Sequence, residues 1–188
     1  MDALTALHAR NSINLLTEPA PSKQQLDNII KAGLRACDHR SLTPWKFLLI
    51  EGDARAEFGD LMVKAKEAVD GSKLAPDLAA TLKKKPFRAP TILVVVAAIK
   101  EHEKVPEVEQ LLSAGAAAQM MMTAAHAQGV GAIWRSGSMM FTDEMHRGLE
   151  LEENDKIVGF IYLGKAKIAK PLAELNTDDF VKRWPATE

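Results

Sequence analysis

Three guanidiniums, an imidazole and several hydroxyls stand where the expected secondary-structure elements of this chain end. Arg10-Asn11-Ser12 closes a first short helix, Arg35 and His39 flank a polar loop, and Trp134-Arg135-Ser136 follows a strand. Each also has a plainer reading. Arg10 suits a helix end, where a cation is favoured by the dipole; Trp134 suits a core and Arg135 a surface. Taken together they suit a flat heteroaromatic ligand carrying a phosphate, because guanidinium binds phosphate as a bidentate fork.

Other chemistries find less support. His8, His39, His102, His126 and His146 are scattered, with neither helical ligand spacing nor a Cys-x-x-Cys companion, so no zinc site is expected. Ser136 lies in Trp-Arg-Ser-Gly-Ser, which lacks the Gly-x-Ser-x-Gly elbow of a serine hydrolase. Cys37 precedes Asp38 and His39, so a thiol nucleophile is conceivable; a small, semi-buried residue at a helix end is the simpler expectation. Gly129-Val130-Gly131 closes a helix and opens a strand, the reverse of a dinucleotide-binding fingerprint. A phosphate loop ending in Gly-Lys-Ser/Thr is absent as well.

The elements that must position these residues belong to one ordinary globular domain over residues 1–188. Of the 188 residues, 47% are hydrophobic and 26% charged, which is enough apolar material to fold without disulfides or a structural metal. A net charge of −1 argues against a grip on nucleic acid or an anionic membrane. The single cysteine fits a reducing cytosol. The longest apolar run, Ile92 to Ile99, falls short of the ~20 residues of a membrane span. With no signal-peptide pattern at Met1-Asp2-Ala3-Leu4-Thr5, a soluble cytoplasmic protein is expected.

Periodicity predicts a helix over residues 3–10 and a second one from Ser22, whose capping box with Gln25 marks its start. A strand over Lys46–Ile50, a helix capped by Asp53 and a weaker helix over 76–84 follow. Ile92–Ile99 reads as a strand buried on both faces, because it does not alternate. Pro106 to Gln128 reads as one long helix closed by Gly129. Its small middle, Ala114 to Ala118, predicts close packing against a sheet or another subunit. Strands over 130–134 and Ile157–Leu163 enclose a short helix capped by Thr142. Phe180 to Trp184 alternates like an exposed edge strand at the end of a polar arm. The order is that of a layered α/β-type domain.

A family resemblance rests on eight ordered stretches. They include Arg10-x-Ser12, Ala32-Gly33-x-Arg35-Ala36-x-Asp38-His39-x-Ser41-x-x-Pro44-Trp45, and Pro86-Phe87-Arg88-Ala89-Pro90. Lys104-Val105-Pro106 with Glu109-Gln110, Ser113-Ala114-Gly115, Ala127-Gln128-Gly129, Ile133 to Gly137 and Asp155 to Phe160 complete the set. Over residues 1 to about 164 the chain resembles the compact bacterial nitroreductases. The resemblance implies an α+β, three-layer fold with a central mixed sheet flanked by helices. It implies a homodimer with FMN at the subunit interface and a C-terminal arm (165–188) reaching the partner.

By the same resemblance, FMN contacts fall to Arg10, Asn11 and Ser12, to Arg35 and His39 of the other subunit, and to Trp134, Arg135 and Ser136. A nicotinamide nucleotide is placed along Ala124, Ala125, His126, Ala127, Gln128 and Gly129. That segment is a helix C-terminus, whose dipole disfavours phosphate. The family commonly has arginine where Asn11 stands and proline where Cys37 stands. The implied activity is hydride transfer from NADPH or NADH, through flavin, to a small nitroaromatic or quinone-like acceptor by a ping-pong mechanism. No side chain need then be a nucleophile. A non-catalytic FMN-binding protein, or a relative performing dehydrogenation or dehalogenation, is the alternative.

Overall fold

The fold is given by a computed structural model, which describes residues 1–168 and 171–184. The chain forms α1 (Ala3–Ala9), β1 (Leu16–Thr17), α2 (Lys23–Gly33), β2 (Trp45–Glu51), α3 (Ala54–Asp70) and α4 (Pro76–Lys83). It continues through β3 (Thr91–Ala98), α5 (Glu107–Ala127), β4 (Gly131–Arg135), α6 (Asp143–Gly148) and β5 (Asp155–Ala166). The local signals act as expected at several ends. Ser22 Oγ accepts the Gln25 N–H at 3.2 Å while Gln25 Oε1 accepts the Ser22 N–H at 2.9 Å, closing the capping box. Thr142 caps α6, and Gly71 and Gly129 leave their helices at positive φ. Asp53 precedes α3 in helical backbone geometry and makes no side-chain cap, contrary to expectation.

β5 is the hub of the sheet. It pairs with β3 along one edge, with β4 through Gly131↔Gly164 to Arg135↔Phe160, and with the two-residue β1 at its far end. β2 completes the sheet on β3. Every described pairing is antiparallel, so the α+β class holds but the sheet is not mixed. The short β1 escaped the sequence reading because two residues carry no periodicity.

All eight residues of β3 are buried, and they alternate between two cores. Ile92, Val94 and Val96 face α3, α4 and α6, whereas Leu93 and Val95 face α2 and α5. This makes three layers. Opposite Val95 and Val96 the β5 register slips by one residue, leaving Val158 unopposed. The slip lets Ile157 and Phe160, an odd number of residues apart, enter the same core.

The small residues of α5 act as expected on one side. Ala114, Ala117, Ala118 and Ala125 are fully buried against the sheet and α2. At Gly33 a Cβ would stand 2.8 Å from Met121 Cγ, so α2 crosses α5 with no room to spare. The opposite side of α5 leaves Val108 and Leu112 exposed, as α1, which packs on it, leaves Leu4 and Leu7. The expected strand at Phe180–Trp184 does not form. This stretch follows a turn at Thr177–Asp179, pairs with no described strand, and exposes Phe180, Val181 and Trp184. Of the expected arm, residues 169–170 and 185–188 lie outside the described residues. Among the described residues, no helix is long and apolar enough to cross a membrane.

Gly159 sits beside the bulge for a steric reason. A Cβ there would come within 2.1 Å of Trp134 Nε1 and 3.1 Å of the Arg135 carbonyl oxygen. Gly159→Ala is expected to lower stability by about 2 kcal/mol, as overpacked sites do, and to shift the tryptophan emission. Urea denaturation and fluorescence spectra of the variant measure both effects.

Candidate functional site

β4 delivers Trp134 and Arg135 to the sheet edge, and Ser136-Gly137 turn the chain away from it. Trp134 occupies the slot that Gly159 leaves on β5. Arg135 is half-buried; its guanidinium carbon lies 5.5 Å from the Tyr162 ring centroid, and its Nε is buried with no hydrogen-bond partner among the described residues. A buried donor without a partner costs about 1–3 kcal/mol, so this group is built to meet something else.

The same residues line a cavity of about 320 Å³, within the range of small-ligand sites. Met62, Met139, Met140 and Phe160 form its apolar walls, and Tyr162 its aromatic floor. Lys85 and Arg88 join Arg135 around it, and among the described residues no carboxylate lines it. Lys85 is held below its ordinary value, first by burial and then by the charges of Arg88, Arg135 and Lys66. Lys66 already pairs with Asp70. Burial pushes the Tyr162 phenol up to about 12, against the opposite pull of Arg135 and Arg88. The cavity therefore concentrates positive charge over apolar and aromatic walls, a chemistry for a flat, electron-rich or anionic ring.

Arg10, Asn11 and Ser12 come in beside β4. The Ile13 N–H donates to the Ala132 carbonyl at 2.9 Å, and Leu16 reaches over Gly131. The chain thus runs against β4, and residues 10–12, all half-buried, approach its Arg135 end. Arg35 and His39 are not part of this cavity. Arg35 is exposed just beyond α2, and His39 begins a turn that packs on α5, its Nδ1 2.6 Å from Glu109 Oε2. That turn is strained, with Arg40, Ser41 and Thr43 at φ 65°, 53° and 47°. Left-handed backbone at non-glycine residues costs on the order of 1 kcal/mol each and persists only where the surroundings enforce it.

The remaining expected sites fare differently. In 124–129, Gln128 spends its amide on α2 and its own helix: Oε1 accepts from Asn28 Nδ2 at 3.0 Å, and Nε2 donates to the Gln25 and Ala124 carbonyls. Ala125 is buried, Ala124 and His126 are half-buried, and the His126 Nε2 is buried with no hydrogen-bond partner. Cys37 is exposed, not semi-buried. Among the described residues, no three His, Cys, Asp or Glu side chains converge as a metal site would need. A larger cleft of about 620 Å³, between Glu107, Phe141 and His146, carries charges of both signs. Its Asp155 is already committed to Lys46 and to the Glu152 N–H.

Sequence reasoning did not find Lys85 and Arg88. Their signal was present as the run Lys83-Lys84-Lys85-Pro86-Phe87-Arg88, set just ahead of the central strand β3. A strand end so heavily cationic makes chemical sense once Arg135 arrives beside it. Lys85→Met removes a like charge and is expected to raise the melting temperature of the ligand-free protein at pH 7. Because the folded-state value of Lys85 lies below 10.5, its charge disfavours the fold at neutral pH. The gain should fade as pH rises through 10.5, because only above that value is the lysine neutral in both states. Thermal melts of both proteins across that range measure it.

Comparison with known proteins follows this geometry. Residues 7–165 match the nitroreductase family. The chain is 44% identical over 179 residues to YdjA of Escherichia coli K12, whose name proposes an NAD(P)H nitroreductase; the match covers 95% of this chain and 96% of that protein. Its fold is similar to that of a nitroreductase-like family protein from Bacillus cereus, with TM-score 0.79 at 19% identity over 97% and 96% of the two chains. It is also similar to NfnB, an FMN and NADPH-dependent nitroreductase from a Sphingopyxis strain, with TM-score 0.74 at 16% identity over 98% and 100%. With a match that spans the strand-end cations, the cavity and the sheet that carries them, the chain belongs to the nitroreductase family.

Proposed function

We propose that this protein is an FMN-dependent oxidoreductase that passes reducing equivalents from NADPH or NADH to nitroaromatic or quinone-like acceptors by a ping-pong mechanism. The observation that carries the reading is the cation-lined cavity at the end of β4, where the described residues supply neither a hydrogen-bond partner for Arg135 Nε nor a carboxylate in the lining. Relatives named for NAD(P)H nitroreductase activity support it, as do FMN-dependent proteins of the same fold.

The residues present fit the flavin group. Bound FMN would supply the ring that accepts and donates hydride, and that ring becomes more electron-rich when reduced. Lys85, Arg88 and Arg135 hold the ring's polar edge by charge, and preorganised cations in a partly closed site act with little reorganisation. Trp134, Tyr162 and the methionines exclude water from its faces. Arg10 and Ser12, approaching the same strand end, take the phosphate, with Asn11 and Ser136 beside them. A cavity of this size would hold the ring rather than a whole nucleotide, so the rest of the cofactor would lie outside the cavity.

Arg35 and His39, remote from the cavity in their own chain, serve the site of a second copy. The exposed Leu4, Leu7, Val108 and Leu112, on two helices that pack together, supply an apolar surface for that homodimer. The C-terminal arm then continues onto the partner. We do not place the nicotinamide nucleotide's phosphates at residues 124–129. Gln128 is spent there, and a helix C-terminus repels anions. The nucleotide and the acceptor would occupy the site in turn, with protons from solvent or from His39.

Steady-state rates with NADPH or NADH varied against a nitroaromatic or a quinone test the proposal. Parallel double-reciprocal lines are expected, and Arg135→Ala should lower kcat/KM by about a hundredfold. A protein that retains FMN yet turns over neither acceptor class with either nucleotide would contradict it.

A further inference from the structure

We propose that Glu109 is the positioning residue for His39, fixing the proton on Nδ1 so that Nε2 is the ring atom presented to the flavin of the partner subunit. The inference rests on the functional reading above. A carboxylate only accepts hydrogen bonds, so the 2.6 Å contact between His39 Nδ1 and Glu109 Oε2 requires the hydrogen on Nδ1. Nε2 is then an acceptor when the ring is neutral and a donor when it is charged. Either way it is the atom left for a second partner, and its direction is set by the first.

The neighbourhood shows why this pair is more than a chance surface contact. The turn that carries His39 holds three left-handed non-glycine residues, and it is tied down from several sides. Asp38 Oδ2 accepts the Thr43 N–H at 2.6 Å, and the Lys100 ammonium donates to the Leu42 carbonyl. Gln110, next to Glu109 in α5, is buried and clamps the Lys100 backbone on both its N–H, at 2.9 Å, and its carbonyl, at 2.8 Å. Two adjacent residues in the first turns of α5 therefore hold the loop by separate routes, Glu109 through His39 and Gln110 through Lys100. A strained loop restrained this way delivers its imidazole in one orientation.

Both side chains are about half exposed, at 48% and 44%, so the pair contributes little to stability. Its role is geometric, which gives the test its discrimination. In histidine-15N-labelled protein at a pH where the ring is neutral, His39, assigned by loss of its signal in His39→Gln, should show the Nδ1–H tautomer. Glu109→Ala should convert it to the Nε2–H form and weaken FMN binding about tenfold, the size of a lost charge-assisted hydrogen bond, with little change in melting temperature. Glu109→Gln, whose amide oxygen still accepts from Nδ1, should recover affinity to within about twofold. An Nε2–H tautomer in the wild type, a tautomer that Glu109→Ala leaves unchanged, or unaltered FMN affinity in that variant would overturn the inference. Failure of the wild type to bind FMN would instead overturn the flavin reading beneath it, while the tautomer would still report on the pair.

Discussion

Uncompensated positive charge at one end of the sheet is the constraint on which the site depends. Lys85, Arg88 and Arg135 meet there with no carboxylate among the described lining residues, and burial first, then the neighbouring cations, hold the Lys85 ammonium below its ordinary value. A fold does not hold such a cluster for stability. It holds it because the segment ahead of β3 and the end of β4, on opposite edges of β5, bring their cations to one cavity, and because a ligand with complementary charge removes the penalty on binding.

The rest of the architecture follows from keeping those strand ends in register. β3 is buried on both faces and divides the protein into two cores, so helices must cover both sides of the sheet. The bulge in β5 restores the parity of its side chains before Phe160 and Tyr162 reach the cavity wall. Gly159 beside it leaves the slot in which Trp134 lies, and Trp134 in turn fixes where Arg135 emerges. Arg135 also stacks over Tyr162, so the floor of the cavity and its main cation are set together.

Much of this was legible in the residues. The capping box at Ser22, the unbroken apolar run of β3, the long α5 with its alanines and the Thr142 cap are local signals, and each formed its element. Trp134, Arg135 and Ser136 were expected together because they stand at the end of a strand, and the structure places all three in the lining of one cavity. Most of the failures share a cause, though the uncapped Asp53 and the exposed Cys37 are local ones. Lys85 and Arg88 gain meaning only when β3 and β4 meet through β5, and β1 exists only as a pairing with the end of that strand. Phe180–Trp184 alternates as a strand would but has no described edge to pair with. The antiparallel sheet likewise followed from connectivity that no local pattern encodes. That His39 does not line the cavity holding Arg135 in its own chain is equally non-local, and it is why the proposed site draws on a second copy.

The most direct test of the account is the visible absorption spectrum of the purified protein, before and after anaerobic addition of NADPH and then NADH. The account predicts oxidised-flavin bands that bleach with at least one of the two nucleotides. A colourless protein that takes up no added FMN, or flavin bands that neither nucleotide bleaches, would contradict it.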